Sequence, residues 1–288
     1  MQNVILGCGD IGRRIVKELL SSPVDVGDIA AYVNSQTSQK AALALGVDAT
    51  VIDLDSLSDD LGKCNNAQVY YTIAPQKNGV VDQRTQAVLR QFDTARVRPN
   101  KVVLISTTGV YGDCDGDWVD ETSPVKPTTE RAQRRLDSEQ QWLAWGQDNS
   151  VGVVVLRVPG IYAFSRIPRE RLAKRIPVVR AAECGFTNRI HADDLARICT
   201  VAMASAKSAQ IFNATDGRPG TISEYLMAAA EAAGLPPLPE ISMQEAQSKL
   251  SVGMLSYLGE SRKISNEKML CDLEIELLFP DFKKGLYV

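Results

Sequence analysis

A glycine turn between a short apolar run and an amphipathic run constrains this chain most strongly. Residues 4–6 are Val-Ile-Leu, Gly7, Gly9 and Gly12 follow as Gly-x-Gly-x-x-Gly, and residues 13–20 have helical spacing. A strand leading through such a turn into a helix is typical of dinucleotide-binding folds. Its glycines permit a tight turn, a close backbone approach to a pyrophosphate and close helix–strand packing, and the helix N-terminus faces the anion. The residues predicted to bind a cofactor here are Gly7, Gly9, Asp10, Ile11 and Gly12.

The residues after the second predicted strand bear on the choice of cofactor. An acidic residue about 20 positions beyond the glycines would bind the ribose 2′-hydroxyl of NAD. This chain instead has the neutral residues Asn34, Ser35 and Thr37, of which Asn34 and Ser35 are predicted cofactor-binding residues. Neutral donors suit a 2′-phosphate, and Arg13 or Arg14 would supply charge. We therefore expect NADP, or NAD if both arginines only solvate a helix face.

Strands and helices alternate along most of the chain, which predicts an α/β fold with a Rossmann-type doubly wound parallel sheet. The predicted strands are residues 4–6, 29–33, 49–54, 68–75, 101–105 and 151–158, and a seventh that ends at Asn213. Beyond Gly217 helices dominate, the first of them predicted at 224–233 with Ser223 as its cap. We expect a cofactor domain of residues 1–162 and 185–216, and a smaller, mainly helical substrate lobe of residues 163–184 and 217–288.

Two further strand ends are predicted to contact the cofactor, because ligands of open α/β sheets collect beyond the carboxyl ends of the strands. The third strand ends at Asp53 and Leu54, where a side chain can reach the adenine, although Asp53 is equally suited to begin a turn. The fourth predicted strand contributes Thr72, Ala74 and Pro75.

Composition excludes several kinds of partner. A net charge of −3 and the absence of a basic run argue against nucleic acid. No apolar stretch approaches the roughly 20 residues that span a bilayer, and the first strand follows Met1 directly, so we expect a cytoplasmic protein without a membrane partner. One histidine and six scattered cysteines predict neither a metal site nor a disulfide framework.

Several motifs share an order and spacing with a known family. They are residues 106–112 (STTGVYG), 120–127 (DETSPVKP), 156–162 (LRVPGIY), 188–196 (NRIHADDLA), 211–214 (IFNA) and 264–266 (ISN). With the glycine turn, they resemble the extended or atypical branch of the short-chain dehydrogenase/reductase family, which includes nucleotide-sugar epimerases and dehydratases. The resemblance covers nearly the whole chain.

The resemblance implies catalytic positions, and two of them are altered. Thr107 matches the family Ser/Thr that hydrogen-bonds a substrate oxygen, but Arg131 and Arg135 stand where the family has its Tyr-x-x-x-Lys pair. A guanidinium with a pKa above about 12 stays protonated, so Arg131 cannot be the acid/base. The four-residue spacing places both arginines on one helix face, to bind an anionic substrate or to be solvated. Tyr111 is the candidate proton donor, or else a packed aromatic at a strand end.

Substrate and function follow from the same resemblance. The family's substrate lobe includes the segment with Arg166, which is predicted to bind an anionic substrate such as a nucleotide sugar, or to lie on a solvated helix. We interpret His191 as structural. Homodimers occur in the family.

Two functions stay open: an NAD(P)-dependent oxidoreductase or epimerase-like enzyme without the usual Tyr–Lys pair, and a non-catalytic dinucleotide-binding redox sensor or partner-binding subunit.

Overall fold

A seven-stranded sheet forms the centre of the computed structural model, which describes residues 1–55 and 60–287. The strands are β1 Asn3–Leu6, β2 Ile29–Val33, β3 Asp48–Val51, β4 Gln68–Tyr71, β5 Lys101–Thr107, β6 Trp118–Val119, β7 Gly152–Val158, β8 Gly160–Tyr162, β9 Val178–Val179, β10 Arg189–His191, β11 Gln210–Asn213, β12 Glu240–Ile241 and β13 Lys263–Ile264. The helices are α1 Asp10–Leu20, α2 Gln36–Leu43, α3 Gln83–Thr94, α4 Glu130–Asn149, α5 Arg169–Ala173, α6 Ala192–Ser205, α7 Ile222–Ala232, α8 Met243–Lys249, α9 Val252–Leu258, α10 Glu267–Asp272 and α11 Phe282–Gly285. None of the helices in these two ranges combines the length and apolar character needed to cross a membrane.

The strand order confirms the predicted doubly wound fold. The central sheet runs β3-β2-β1-β4-β5-β7-β11, and every neighbouring pair is parallel. Strands β1 and β2 are buried along their whole length, as expected when helices cover both faces. The order reverses between β1 and β4, where the carboxyl ends of the strands form the crevice that binds ligands in such sheets.

Two hydrophobic cores hold the helices against the two faces of the sheet. One contains the apolar faces of α1 and α6, and the other contains those of α3 and α4. Trp142 of α4 is completely buried in the second core, with its ring centroid 5.1 Å from that of Tyr71 and 5.8 Å from that of Trp145. Edge-to-face aromatic packing of this kind is favourable, so it fixes α4 beside β4 and β5.

The chain beyond β11 is mainly helical, and a third core around Tyr162, Tyr225 and Phe282 joins α7 to α11 and to the end of β8. The prediction of Ser223 as a helix cap is wrong. Thr221 caps α7 instead, in a reciprocal capping box with Glu224 that satisfies two backbone donors. Two parallel two-stranded ladders, β9 with β12 and β6 with β13, connect this part to the rest of the chain, and a third joins β8 to β10.

A carboxyl group is buried just beyond β11. Asp216 is 5% exposed; its Oδ1 accepts a hydrogen bond from the Arg218 backbone N–H, whereas Oδ2 has no partner among the described residues. Burial raises the pKa of Asp216 from 3.8 to about 7. The folded protein therefore retains a proton here that an unfolded chain releases near pH 4.

We predict that Asp216→Asn removes a pH dependence of stability. Because the folded pKa is raised, wild-type stability from this group is fully present below about pH 4 and is lost as the pH rises through about 7. Chemical unfolding at pH 4 and pH 8 should show the variant gaining about 2–4 kcal/mol relative to wild type at the higher pH. An equal difference between wild type and variant at both pH values would contradict the assignment.

Candidate functional site

Steric contacts within the protein explain why two positions of the turn are glycine, but they do not explain the third. Gly7 has a φ of +98°, and a Cβ there would lie 2.8 Å from Ile73 Cγ1. A Cβ on Gly12 would lie 2.9 Å from Ile5 Cγ2, so α1 packs directly on β1. Gly9 differs, because its Cβ would meet only the Gly7 carbonyl oxygen, 3.9 Å away. Its missing side chain therefore leaves the backbone open on the outer side, as a pyrophosphate at the start of α1 requires.

Hydrogen bonds from neighbouring strands fix the turn. The backbone N–H groups of Gly7 and Cys8 donate to the Tyr32 carbonyl at 3.0 and 3.1 Å. From the other side, Thr72 Oγ1 donates to the Gly7 carbonyl at 2.6 Å. Thr72, predicted to contact the cofactor, thus holds the glycine turn against the end of β4.

Four paired charges surround the first turn of α1. Arg166 Nη1 donates to Asp10 Oδ2 at 2.6 Å, and Arg14 Nε lies 3.5 Å from Asp10 Oδ1. Arg14 also bonds Asp193 of α6 and donates to Ser165 Oγ at 3.0 Å. Burial alone would raise the pKa of Asp10, but the Arg166 hydrogen bond and the nearby guanidinium charges hold it below its usual value. Arg166 therefore lies beside the glycine turn with its charge already balanced.

A cavity of about 350 Å³ extends from the glycine turn along the ends of β2, β3 and β4. Its lining includes seven predicted cofactor residues, namely Gly7, Gly9, Asn34, Asp53, Leu54, Thr72 and Ala74. The other predicted residues lie outside this lining: Asp10, Ile11, Gly12, Ser35 and Pro75. The lining also includes residues that the sequence pattern did not indicate, among them Tyr32, Ser38, Ile52, Asp55 and Arg84. Apolar side chains from three strand ends and a glycine-rich floor fit the adenosine half of a dinucleotide.

The end of β2 presents neutral groups to this cavity. Asn34 is exposed, and Ser35 caps α2 by accepting a hydrogen bond from the Ser38 backbone N–H at 3.2 Å. Ser38 itself lines the cavity. Arg14 is paired with Asp193. The side chain of Arg13, by contrast, has no hydrogen-bond or ion-pair partner within residues 1–55 and 60–287.

Tyr111 belongs to a buried polar network. Its hydroxyl donates to Asn213 Oδ1 at 2.8 Å and accepts a hydrogen bond from Arg157 Nη1 at 3.0 Å. Arg157 in turn pairs with buried Glu139 at 2.8 Å, and Ser106 Oγ donates to the same carboxylate. Burial raises the pKa of Tyr111. A hydroxyl that is enclosed and doubly hydrogen-bonded ties β5, β7 and β11 together, so we assign Tyr111 a structural role.

Thr107 ends β5 and retains a proton to donate. Its Oγ1 accepts a hydrogen bond from the Gly109 backbone N–H at 3.1 Å. A Cβ built on Gly109 would lie 3.4 Å from that oxygen and 3.6 Å from Ala132 Cβ, so the Gly109 backbone that Thr107 contacts adjoins the first turn of α4. The side chain is partly exposed, unlike that of its neighbour Ser106.

The two arginines at the Tyr and Lys positions have different surroundings. Arg131 is exposed and has no hydrogen-bond or ion-pair partner in the described part of the chain. Arg135 Nη1 donates to the carbonyls of Ile73 and Ile105 at 2.9 and 3.0 Å, at the ends of β4 and β5. Burial lowers the pKa of Arg135, yet a guanidinium remains protonated. Arg135 is thus fixed at the sheet edge, whereas Arg131 is free to bind an anion.

His191 is structural, as predicted. Its Nδ1 caps α6 by accepting a hydrogen bond from the Asp193 backbone N–H at 3.2 Å, and its ring packs 3.9 Å from that of Phe279. Burial lowers the pKa of His191, which favours the neutral ring that such a cap requires. Within the described residues, no group of three or more His, Cys, Asp or Glu side chains is arranged to hold a metal ion.

Comparison with known proteins identifies similar sequences and folds. A family model described as the NAD dependent epimerase/dehydratase family matches residues 4–215. A conserved protein of unknown function from Silicibacter pomeroyi is 27% identical, with a TM-score of 0.85 over 99% of this chain and 96% of that chain. No curated protein matches.

Two solved epimerases show the same fold at lower identity. The UDP-glucose 4-epimerase of Thermus thermophilus, in complex with NAD, is 22% identical, with a TM-score of 0.74 over 100% of this chain and 97% of that one. The UDP-glucuronic acid 4-epimerase of Bacillus cereus, also in complex with NAD, is 16% identical, with a TM-score of 0.77 and coverage of 100% and 96%.

The contrast among the glycines predicts different effects of adding one methyl group. Gly12→Ala should destabilise the protein by about 1–3 kcal/mol, because its Cβ overlaps Ile5. Gly9→Ala has room within the protein and should change the free energy of unfolding by less than about 1 kcal/mol. Its dissociation constant for NADH or NADPH should nevertheless rise at least about tenfold, because the methyl group stands where the pyrophosphate approaches. Thermal unfolding and nicotinamide fluorescence measure the two effects, and unaltered affinity in Gly9→Ala would contradict this interpretation.

Proposed function

Because the chain belongs to the NAD-dependent epimerase/dehydratase family, we propose that it is an NAD(P)-dependent oxidoreductase acting on a hydroxyl-bearing, anionic substrate such as a nucleotide sugar. One observation carries the proposal. The Thr107 hydroxyl, which has a proton to donate, is hydrogen-bonded to Gly109, and Gly109 adjoins the first turn of α4. In that turn the exposed side chain of Arg131 has no partner among the described residues. A hydrogen-bond donor and a free guanidinium at one edge of the sheet suit a substrate with both a reacting oxygen and a phosphate.

Gly9 would hold the pyrophosphate of a cofactor at the switch point, and the cavity between the ends of β2, β3 and β4 would hold its adenosine. The open backbone at Gly9 and the apolar walls of the cavity support this orientation. NADP is preferred over NAD, since Asn34 and Ser38 offer neutral donors where an NAD site places a carboxylate. With Arg14 held by Asp193, Arg13 supplies the positive charge.

The residues at the carboxyl edge of the sheet have separate roles in this reaction. A nicotinamide cofactor held at this edge would supply hydride transfer. Thr107 donates a hydrogen bond to the substrate oxygen and so positions the carbon that reacts. Arg131 holds the substrate phosphate, and residues 163–184 and 217–288 form the lobe that covers it. Arg135, anchored on the Ile73 and Ile105 carbonyls, keeps positive charge where the family has lysine. The proton of the substrate hydroxyl passes to solvent, because neither arginine can accept it.

The non-catalytic alternative is less well supported. Its basis is the replacement of the Tyr–Lys pair, which removes the family's proton donor. The epimerase/dehydratase match over residues 4–215 and the retained Thr107 favour an enzyme instead.

Cofactor titration tests the proposal directly. We expect purified protein to enhance the fluorescence of NADPH more than that of NADH, and addition of UDP-glucose or UDP-glucuronate to change the signal of the bound cofactor. A cofactor signal that no nucleotide sugar alters would favour the sensor, and absence of binding by either cofactor would refute the proposed site.

Substitutions at the sheet edge separate binding from chemistry. With a sugar nucleotide that is turned over, Thr107→Ala should lower kcat/KM by roughly 100-fold, whereas Thr107→Ser, which keeps the hydroxyl, should retain most activity. Arg131→Ala should mainly raise KM, since it removes a phosphate contact. Steady-state rates from nicotinamide absorbance measure these effects. Full activity in Thr107→Ala would exclude the assigned role.

A further inference from the structure

Three hydrogen bonds hold Arg84 rigidly in the wall of the cofactor cavity. Arg84 lies in the first turn of α3, and its Nε and Nη2 each donate to a different oxygen of Asp55 at 2.7 Å. Its Nη1 donates to the Ala74 carbonyl at 3.0 Å. A bidentate carboxylate and a third acceptor fix the plane of the guanidinium before any ligand arrives. Local pattern does not indicate this contact, because Asp55 and Arg84 lie far apart in the chain.

The Arg84–Asp55 pair lies where the cavity adjoins a second groove. Asp55 and Leu54 line both the cofactor cavity and a second, polar groove of about 520 Å³ along α3, which Gln83, Gln86, Arg90 and Gln91 help to form. Arg84 lines the cofactor side alone. The Arg84–Asp55 ion pair therefore forms part of the cavity wall, and the apolar side chains of Ile52, Leu54 and Ile73 form another part.

We propose that Arg84, positioned by Asp55, is an adenine-recognition residue of the cofactor site, its guanidinium packing against the base. The inference rests on the proposed function, since it assumes a dinucleotide in this cavity. Planar guanidinium groups pack favourably on aromatic rings. Asp55 balances the charge of Arg84, and a neutral pair suits an uncharged base better than it suits a 2′-phosphate.

The charge balance makes a matched set of variants possible. Arg84→Gln removes the guanidinium but leaves Asp55 as an added negative charge beside an anionic cofactor. The double variant Arg84→Gln with Asp55→Asn removes the pair without changing net charge, so its effect reports packing on the base. Arg90→Gln, an exposed residue of the same helix on the outer groove, is the control.

Dissociation constants of these variants for NADH, NADPH and ADP-ribose test the inference. The double variant should bind all three about tenfold more weakly, because each carries adenine and the lost contact does not depend on the 2′-phosphate. Arg90→Gln should match wild type, and melting temperatures should show that every variant is folded.

Three results would overturn the inference. They are unchanged affinity in the double variant, a loss confined to NADPH, which would assign Arg84 to the 2′-phosphate, and a loss for NADH but not for ADP-ribose, which would place the effect at the nicotinamide end. In all three, wild type still binds cofactor and the proposed function stands. Wild type that binds neither NADH nor NADPH would instead refute the proposed function itself.

Discussion

The close approach of α1 to β1 at the glycine turn is the constraint on which the rest of the structure depends. Gly12 allows the helix to lie directly on Ile5, and the positive φ of Gly7 turns the chain sharply enough to reach it. Hydrogen bonds to Tyr32 and from Thr72 then tie the turn to both neighbouring strands. Because the switch point of the sheet lies between β1 and β4, fixing the carboxyl end of β1 also fixes where the cavity opens and which strand ends line it.

Ion pairing decides which charged groups are available to a ligand. Arg14 and Arg166 are paired with Asp193 and Asp10, Arg157 is paired with Glu139, and Arg84 is paired with Asp55. Buried or half-buried arginines without such partners would be costly, so most of the basic residues near the cleft hold elements together. Arg131 is exposed and lacks a partner among the described residues, which makes it the better candidate for an anionic substrate.

Much of the fold and part of the cofactor site could be predicted from sequence, because those features depend on local pattern. Near-continuous apolar runs indicated buried parallel strands, and glycine spacing located the turn between β1 and α1. Local sequence pattern did not identify the correct helix cap where two residues were suitable. Thr221 rather than Ser223 caps α7, because only Thr221 completes a capping box with Glu224. Tyr111 was equally ambiguous, because its role depends on Asn213 and Arg157, which arrive from strands far along the chain.

The sequence by itself determined the doubly wound sheet, the glycine turn and the replacement of the Tyr–Lys pair by Arg131 and Arg135. These follow from backbone sterics, side-chain periodicity and residue identity, all of which are readable within a short stretch of chain. Only the tertiary structure decided that Tyr111 is enclosed, that Arg166 faces Asp10, and that Arg84 lines the cavity beside the glycine turn. Long side chains choose their partners among the elements that packing brings near them, and no local spacing records that choice.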